Sequence, residues 1–511
     1  MEQYLAQQGN KVKVKDNIFV ASNHTAAGTI LLTQAPLASV PFPSERLDRC
    51  NYCLRKGNLQ CCSKCHSAYF CSQDCFLTSW IHFHRGLCGL SDYSKDALLN
   101  VDQWLLDRAA LTLASYDTLP TKTNAQVQAL EQLEVVATND TMDQPLVQST
   151  HEKLGANPHY TLSELSVLWQ RVQIASFRIT DSDMQLDPVA VGIYPITSQY
   201  VRHSCRPNAS VIYEQGHQLI IALQDIPQNA PITISYVDLI ATKSQRQKAL
   251  KARFGFDFQC DCIRCQGEYA GLDSLLERDT DLTDEQIEQM LSQQLKTWSV
   301  LEMVREYGSK DVTIPLESLD APHLAHFICR MIAPDIYVPA FGNKKTTAAV
   351  YYDKLSPLTQ LKFTREEDVR RILPAIEALL GTPPSPFLTI RAIKVAEKVL
   401  SQCISRSEWV EASRCTIYLY MLYRLVYPAL FPKMVYHGAL IARASWNSLV
   451  QLELAGIGKK LERIYEKGVQ LWIEAAKASV SLTFGRNSLL WREAVEIQWL
   501  FERDQKLKLS S

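Results

Sequence analysis

Four short pairs of potential metal ligands lie between residues 50 and 88: Cys50 and Cys53, Cys62 and Cys65, Cys71 and Cys75, His84 and Cys88. The members of each pair are near enough in sequence to reach one ion. Zinc takes four nitrogen or sulfur ligands in a tetrahedron, so eight ligands make two closed structural sites. The stretch holds few apolar residues, and zinc binding worth about 10 to 16 kcal/mol per site would supply the folding energy that a core does not. Cys61 and His82 stand beside ligand positions and are alternatives to them, whereas His66 reads as a surface residue. A second group, Cys260-x-Cys262-x2-Cys265, is one ligand short of a tetrahedron. Cys205 is the candidate for the fourth.

The elements that must hold these groups follow from hydrophobic periodicity. Residues 11–40 read as short strands, with apolar runs at Ile18-Phe19-Val20 and Thr29-Ile30-Leu31-Leu32. From Asp92 to about Ser176 the pattern is helical, with a polar, loop-like stretch near 135–158. Residues 177–240 return to strands, and Glu214-Gln215-Gly216-His217 reads as a hairpin turn. Beyond Gly267 the chain is almost wholly helical. There Thr283 and Gln286 form a capping box ahead of Ile287, Met290, Leu291, Leu295 and Trp298. Gly381-Thr382-Pro383-Pro384-Ser385-Pro386 reads as a linker, and Pro428 and Pro432 as a break between stacked helical hairpins.

Composition bounds the function classes. A chain of 511 residues with 47% apolar content can bury a large core, and its length points to two to four domains. The net charge of -1 gives no basic field for phosphate backbones, and residues 44–90 hold only six Lys and Arg against three Asp and Glu. Direct nucleic-acid binding is therefore not expected. No run of about 18 apolar residues and no signal-like leader is visible, so the expectation is a monomer of the cytoplasm or nucleus, away from membranes. Twelve of the fifteen cysteines fall in the two groups, which points to metal and not to disulfides. The other three, Cys329, Cys403 and Cys415, read as inert core residues.

The first cysteine block, with Tyr69-Phe70-Cys71 and Trp80 ahead of the histidine, resembles the MYND finger, although the step from Trp80 to His84 is one residue longer than expected. MYND ligands interleave, which implies Cys50, Cys53, Cys71 and Cys75 on one zinc and Cys62, Cys65, His84 and Cys88 on the other. His203-Ser204-Cys205-Arg206-Pro207-Asn208 resembles the N-H-S-C-x-P-N motif of SET methyltransferases, Ile232-Thr233-Ile234-Ser235-Tyr236 the strand carrying their tyrosine, and Phe256-x-Phe258-x-Cys260-x-Cys262 their post-SET segment. Gly28 to Leu32 and Ala35-Pro36-Leu37 match the first part of that domain. In this order the motifs are similar to those of the SET-and-MYND (SMYD) family of protein-lysine methyltransferases.

The resemblance implies an α+β fold: a β-rich SET core with an inserted MYND zinc finger and a post-SET zinc site, then an all-α TPR-like C-terminal domain. The expected segments are 1–49 for the first part of the SET domain, 50–88 for the finger and 89–176 for a helical insert. The SET core follows at 177–240, the post-SET segment at 241–267 and the helical domain at 268–511. It implies three zinc ions and S-adenosylmethionine as cofactors, and a protein substrate offering a lysine side chain. It also implies a proline-containing peptide as the partner of the finger. Tyr236 would be the catalytic residue, and Lys15, Asn17, Arg202, His203, Tyr236 and Phe258 would face the cofactor, with Phe258 and Phe256 lining a lysine channel. Two departures set this chain apart. The family's G-x-G is Asp16-Asn17-Ile18, where a β-branched Ile18 suits positive φ poorly, and the Asn before His-Ser-Cys is Arg202, a permanent cation. They leave a second expectation standing: a weak or inactive relative that acts as a zinc-dependent binding scaffold.

Overall fold

The computed structural model describes residues 1–94, 100–116, 124–135, 144–154, 160–181, 186–277, 281–297, 389–454 and 459–510. Cys329, Trp298 and the linker at 381–386 lie outside them. The chain forms two compact units, one of residues 1–203, 208–234 and 251–258, the other of 204–207, 235–250 and 259–511.

The first unit holds the strands. β1 (Val12–Lys15) and β2 (Ile18–Ala21) form a hairpin in which Lys15 faces Ile18. β3 (Ile30–Gln34) and β4 (Ser39–Pro41) precede a small ribbon of β5 (Gln60–Cys61) and β6 (Tyr69–Phe70). β7 (Ser176–Thr180) and β8 (Pro188–Ile193) form an antiparallel sheet in the order β4-β8-β7. After β9 (Arg202–His203), β10 (Ala209–Glu214) and β11 (His217–Ala222) make the sheet β10-β11-β3, and β12 (Thr233–Ile234) pairs in parallel with β9. Leu219, Ile220, Ile221 and Ala222 are all buried, as a continuous apolar run in a covered strand should be. The predicted hairpin has positive φ at both Gln215 and Gly216, the requirement of a two-residue turn with the twist of its strands. The helix Pro195–Tyr200, with proline in its first turn, was not foreseen in a stretch read as strands.

Helices Val101–Tyr116, Asn124–Gln132, Gln144–Leu154 and Leu162–Ala175 make up the insert of this unit, packed around Trp104, Leu105, Leu165 and Trp169. The second unit is helical in its C-terminal part. The capping box at Thr283 is present, its N–H donating to Gln286 Oε1 (2.8 Å) and its Oγ1 accepting from Gln286 N (3.3 Å), and Ile287 and Leu291 of that helix are buried. Long helices Ile390–Ser405, Trp409–Val426, Pro432–Leu454, Lys459–Thr483 and Leu489–Ser510 follow, each packed on the next. Pro428 and Pro432 fall at the predicted break. Cys403 and Cys415 are buried in this core, where burial pushes the Cys403 thiol up to about 11 and that of Cys415 higher still.

Candidate metal clusters and the SET motif residues

The eight ligands of the first block converge in two groups, Cys50, Cys53, Cys71 and Cys75, and Cys62, Cys65, His84 and Cys88, with the ligand atoms of each within 4.8 Å of one another. Local geometry explains the convergence. In both C-x2-C pairs the residue after the second cysteine takes positive φ, Leu54 at 61° and His66 at 52°, and its N–H donates to the first cysteine's carbonyl at 2.9 Å. Each pair is thus wound into a knuckle with both sulfurs on one side. Ser72 caps the helix Gln73–Ser79 by accepting from Cys75 N (3.1 Å), which sets Cys71 and Cys75 on either side of the helix start. The extra residue between Trp80 and His84 is taken up by a π-helical turn over Trp80–His84, which delivers His84 to the cluster. His82 instead meets Ser115 Oγ through Nδ1 (3.4 Å), Cys61 is exposed on β5, and His66 is exposed.

The spacing suits zinc. Cys53 and Cys71 sulfurs are 3.5 Å apart, Cys71 and Cys75 3.6 Å, Cys62 and Cys88 3.9 Å, and Cys65 Sγ lies 3.8 Å from His84 Nε2. A tetrahedron with 2.3 Å zinc–sulfur bonds has edges of about 3.8 Å. The His84 ring, 5.5 Å from Phe70 and 5.7 Å from Trp80, is driven down to a pKa of about 4 by burial first and then by the charges of Arg108 and Lys64, which keeps it neutral as a metal ligand requires. Arg108 lies between Phe83 (4.2 Å) and Trp104 (4.4 Å) and donates to the carbonyls of Ser39 and Asn51, joining the finger to β4.

The third group, Cys205, Cys260, Cys262 and Cys265, also falls within 4.8 Å. Cys205 is fully buried, its sulfur 3.7 Å from that of Cys265, and its N–H donates to Cys262 Sγ (3.4 Å). Beside it lies a charge cluster that sequence reading missed. Asp273 accepts from Arg246 through both oxygens (2.9 Å each) and from Arg264 (2.7 and 3.1 Å), with both arginine side chains wholly buried. The same arginines donate to Ala241 O (2.6 Å) and Leu239 O (2.8 Å), so they hold the segment that follows Tyr236. The one sequence signal was an arginine inside the cysteine group, Arg264, with another, Arg246, in the helix before it, too common a pattern to single out.

The residues expected around the cofactor belong to both units: Lys15, Asn17, Arg202, His203 and Phe258 to the first, Tyr236 to the second. Positive φ falls on Asp16 (51°) and Asn17 (59°), and Ile18 begins β2, which corrects the expectation of strain at Ile18. Asp and Asn tolerate this conformation, so the hairpin forms without the glycines. Lys15 is exposed at the end of β1, and Asn17 lines an open cavity of about 620 Å³ together with Lys13, Gln132, Gln199 and Tyr200. Arg202 is exposed on β9 and His203 half-buried beside it. The strand expected over residues 232–236 is only Thr233–Ile234, and Tyr236 sits half-buried on the bend beyond it. Asn208, the last residue of the motif, ties its loop to β12 by accepting from Thr233 N (2.9 Å) and donating to Pro231 O (2.8 Å). Phe258 stacks obliquely on Phe254 (5.0 Å), whereas Phe256 is 77% exposed.

The model of the SET domain family matches residues 20–237, a span that contains both motif segments. The chain is similar to the histone-lysine N-methyltransferase ASHR1 of Arabidopsis thaliana, 27% identical over 47% of this chain and 50% of that one. It is 29% identical to the histone-lysine N-methyltransferase SMYD3 of Mus musculus, over 53% and 62% of the two chains. The N-lysine methyltransferase SMYD2-A of Xenopus laevis is 26% identical over 48% and 57%. The chain thus spans between half and about three fifths of the length of the curated relatives it matches.

Proposed function

From a chain with a SET domain and the features of the SET-and-MYND family, we propose a protein-lysine N-methyltransferase that uses S-adenosylmethionine and carries three structural zinc ions. The observation that carries this reading is the SET match over residues 20–237, within which the Arg202–Asn208 motif and the Tyr236 segment stand in the family's order. The donor set suits the cofactor's amino-acid end: Lys15 and Arg202 are cations for a carboxylate, and the Asn17 amide both donates and accepts. When bound, S-adenosylmethionine supplies a methyl group on a positive sulfur.

The chain's own residues would orient the acceptor. A lysine amine has an ordinary pKa near 10.4, so it must lose a proton before its lone pair can attack, and an aromatic channel shifts that balance by withholding water. Phe258 is the residue proposed for that wall, and the Tyr236 hydroxyl the group that aligns amine and methyl. Arg202 serves if its guanidinium turns to the carboxylate, because a like charge about 4 Å from the ammonium costs on the order of 4 kcal/mol at an effective dielectric near 20.

Arg202 is also the observation that favours the second reading, a zinc-dependent scaffold without turnover, since it replaces a neutral amide by a permanent cation. Calorimetry with S-adenosylmethionine on zinc-loaded protein separates the two. Methyltransferase function predicts binding by the wild type and a change of less than about tenfold in Arg202→Asn. Failure of the folded wild type to bind would refute it, and recovery of binding in the triple variant Asp16→Gly, Ile18→Gly, Arg202→Asn would assign the loss to those residues.

A further inference from the structure

Arg206 occupies the spacer position of the His-Ser-Cys motif, where the pattern asks for no particular residue. In the second unit it is 7% exposed, and its Nη1 donates to Leu425 O (3.3 Å) and Val426 O (2.6 Å). These are the last carbonyls of the Trp409–Val426 helix, which have no acceptor role left inside that helix and carry its partial negative charge. The guanidinium also lies 4.8 Å over the Tyr269 ring. The next residue of the helix end, Tyr427, is stacked on Phe431 (4.9 Å) and donates its hydroxyl to Asp238 Oδ1 (3.4 Å). Asp238 lies two residues past Tyr236, and its Oδ1 also accepts from Ile240 N (3.0 Å).

One helix end therefore grips two separate segments, 204–207 inside the SET match and 235–240 at its end. We propose that this helix end is a positioning device for the tyrosine segment and the motif loop, with Arg206 and Tyr427 as its positioning residues. For its effect on turnover, this rests on the methyltransferase reading. A buried guanidinium is costly unless its donors are satisfied, so packing alone would be served better by an apolar side chain. What Arg206 adds is direction. The loop is pinned on one side by Cys205 in its cluster and on the other by two bonds to the helix, and either bond is lost if the loop rotates. Catalytic geometry is sensitive on this scale, with a misplacement of about 1 Å costing on the order of a hundredfold in rate.

The test uses the full chain with three variants: Arg206→Ala, Arg206→Lys, which keeps a cation and a donor, and Tyr427→Phe, which removes one oxygen. Hydrogen exchange is followed peptide by peptide, zinc is counted, and methyl transfer from labelled S-adenosylmethionine to a pool of lysine peptides is measured. Arg206→Ala should speed exchange over 203–208 about tenfold and Tyr427→Phe exchange over 235–241, and Arg206→Ala should lower kcat about tenfold or more with the zinc content unchanged. Arg206→Lys should recover most of both effects, and Tyr427→Phe should lower kcat about fivefold, the loss of one modest hydrogen bond. Tyr427→Phe decides the matter if Arg206→Ala does not fold. Wild-type exchange over 203–208 in Arg206→Ala and over 235–241 in Tyr427→Phe, or equal damage by Ala and Lys at 206, would overturn the proposal. Should the wild type show no transfer, the methyltransferase reading fails, and the exchange data alone still decide whether the helix end holds these segments.

Discussion

Replacing Asp273 by Asn should be among the most damaging single changes in the second unit. The carboxylate accepts four bonds of 2.7 to 3.1 Å from Arg246 and Arg264, whose side chains are fully buried. An amide has nearly the same shape but no charge, and its NH2 group would face a guanidinium donor. Two buried cations are then left without their anion, and breaking a buried pair in this way costs about 3 to 5 kcal/mol. For a unit of this size each kcal/mol lowers the unfolding midpoint by about 2 to 4 °C, so Asp273→Asn should lose about 6 to 20 °C. Circular dichroism at a helical wavelength measures the shift, and hydrogen exchange assigns it to a unit, since a chain of two units need not unfold in one step. Arg264 adjoins Cys265, and Arg246 and Arg264 hold Ala241 and Leu239, so a zinc held by the third group as proposed should also be lost more readily to a chelator. The cost belongs to the uncompensated charge, so a triple variant Asp273→Leu, Arg246→Met, Arg264→Met should regain part of the loss. It would remain short by about 1 to 3 kcal/mol because two buried carbonyls lose their donors. A shift below about 2 °C in Asp273→Asn, or a triple variant worse than the single one, would refute the reasoning.

Elemental analysis of purified protein should give three zinc ions per chain, and Cys205→Ser should give two together with a lower unfolding midpoint; unchanged zinc and stability would remove Cys205 from the cluster. His437 is buried and donates Nε2–H to Thr416 O (2.7 Å), with Lys433, Glu397 and Tyr423 around it, and burial first of all lowers its pKa to about 4. Its unfolded value is about 6.5, so below that pH the unfolded chain takes up the proton and the folded one does not, and stability is lost as pH falls from about 6.5 to about 4, by about 3 kcal/mol in all. His437→Gln, which can still donate to the carbonyl but does not titrate, should flatten that part of the stability curve; an unchanged slope would assign it to other groups.

What could be read from the sequence was whatever is determined locally. The knuckles at Cys50 and Cys62 are built within five residues, so spacing alone announced them, and the pairing of ligands came with the MYND resemblance. The Thr283 capping box is equally local. Cys205 stands far from its three partners and was legible only because a motif surrounds it. Arg206 and Asp238 were not legible, since their partners Val426 and Tyr427 lie at the far side of the chain and no periodic signal links them. The Trp80–His84 step left His82 open as an alternative to His84 because a π-helical turn adds a residue without leaving a mark in composition. Ile18 misled for the opposite reason: a two-residue turn moves positive φ onto Asp16 and Asn17, one place from where the glycine pattern put it.

The order of pairing in the sheets bears on how the chain is made. Leu32 of β3 finds its partner at Ile220 and Val40 of β4 at Val191, so both strands leave the ribosome roughly 150 to 190 residues before the strands that cover them, a delay of about 10 to 40 seconds at ordinary elongation rates. Throughout that interval their apolar edges are open to neighbouring nascent chains. The ligands of the finger, by contrast, all emerge within one short stretch, so it can close without waiting for a distant strand. With zinc bound as proposed, its supply during translation would set how early an ordered body stands beside the waiting strands. Scarcity of the metal would show first as a loss of yield during synthesis, before any loss of stability in the finished protein.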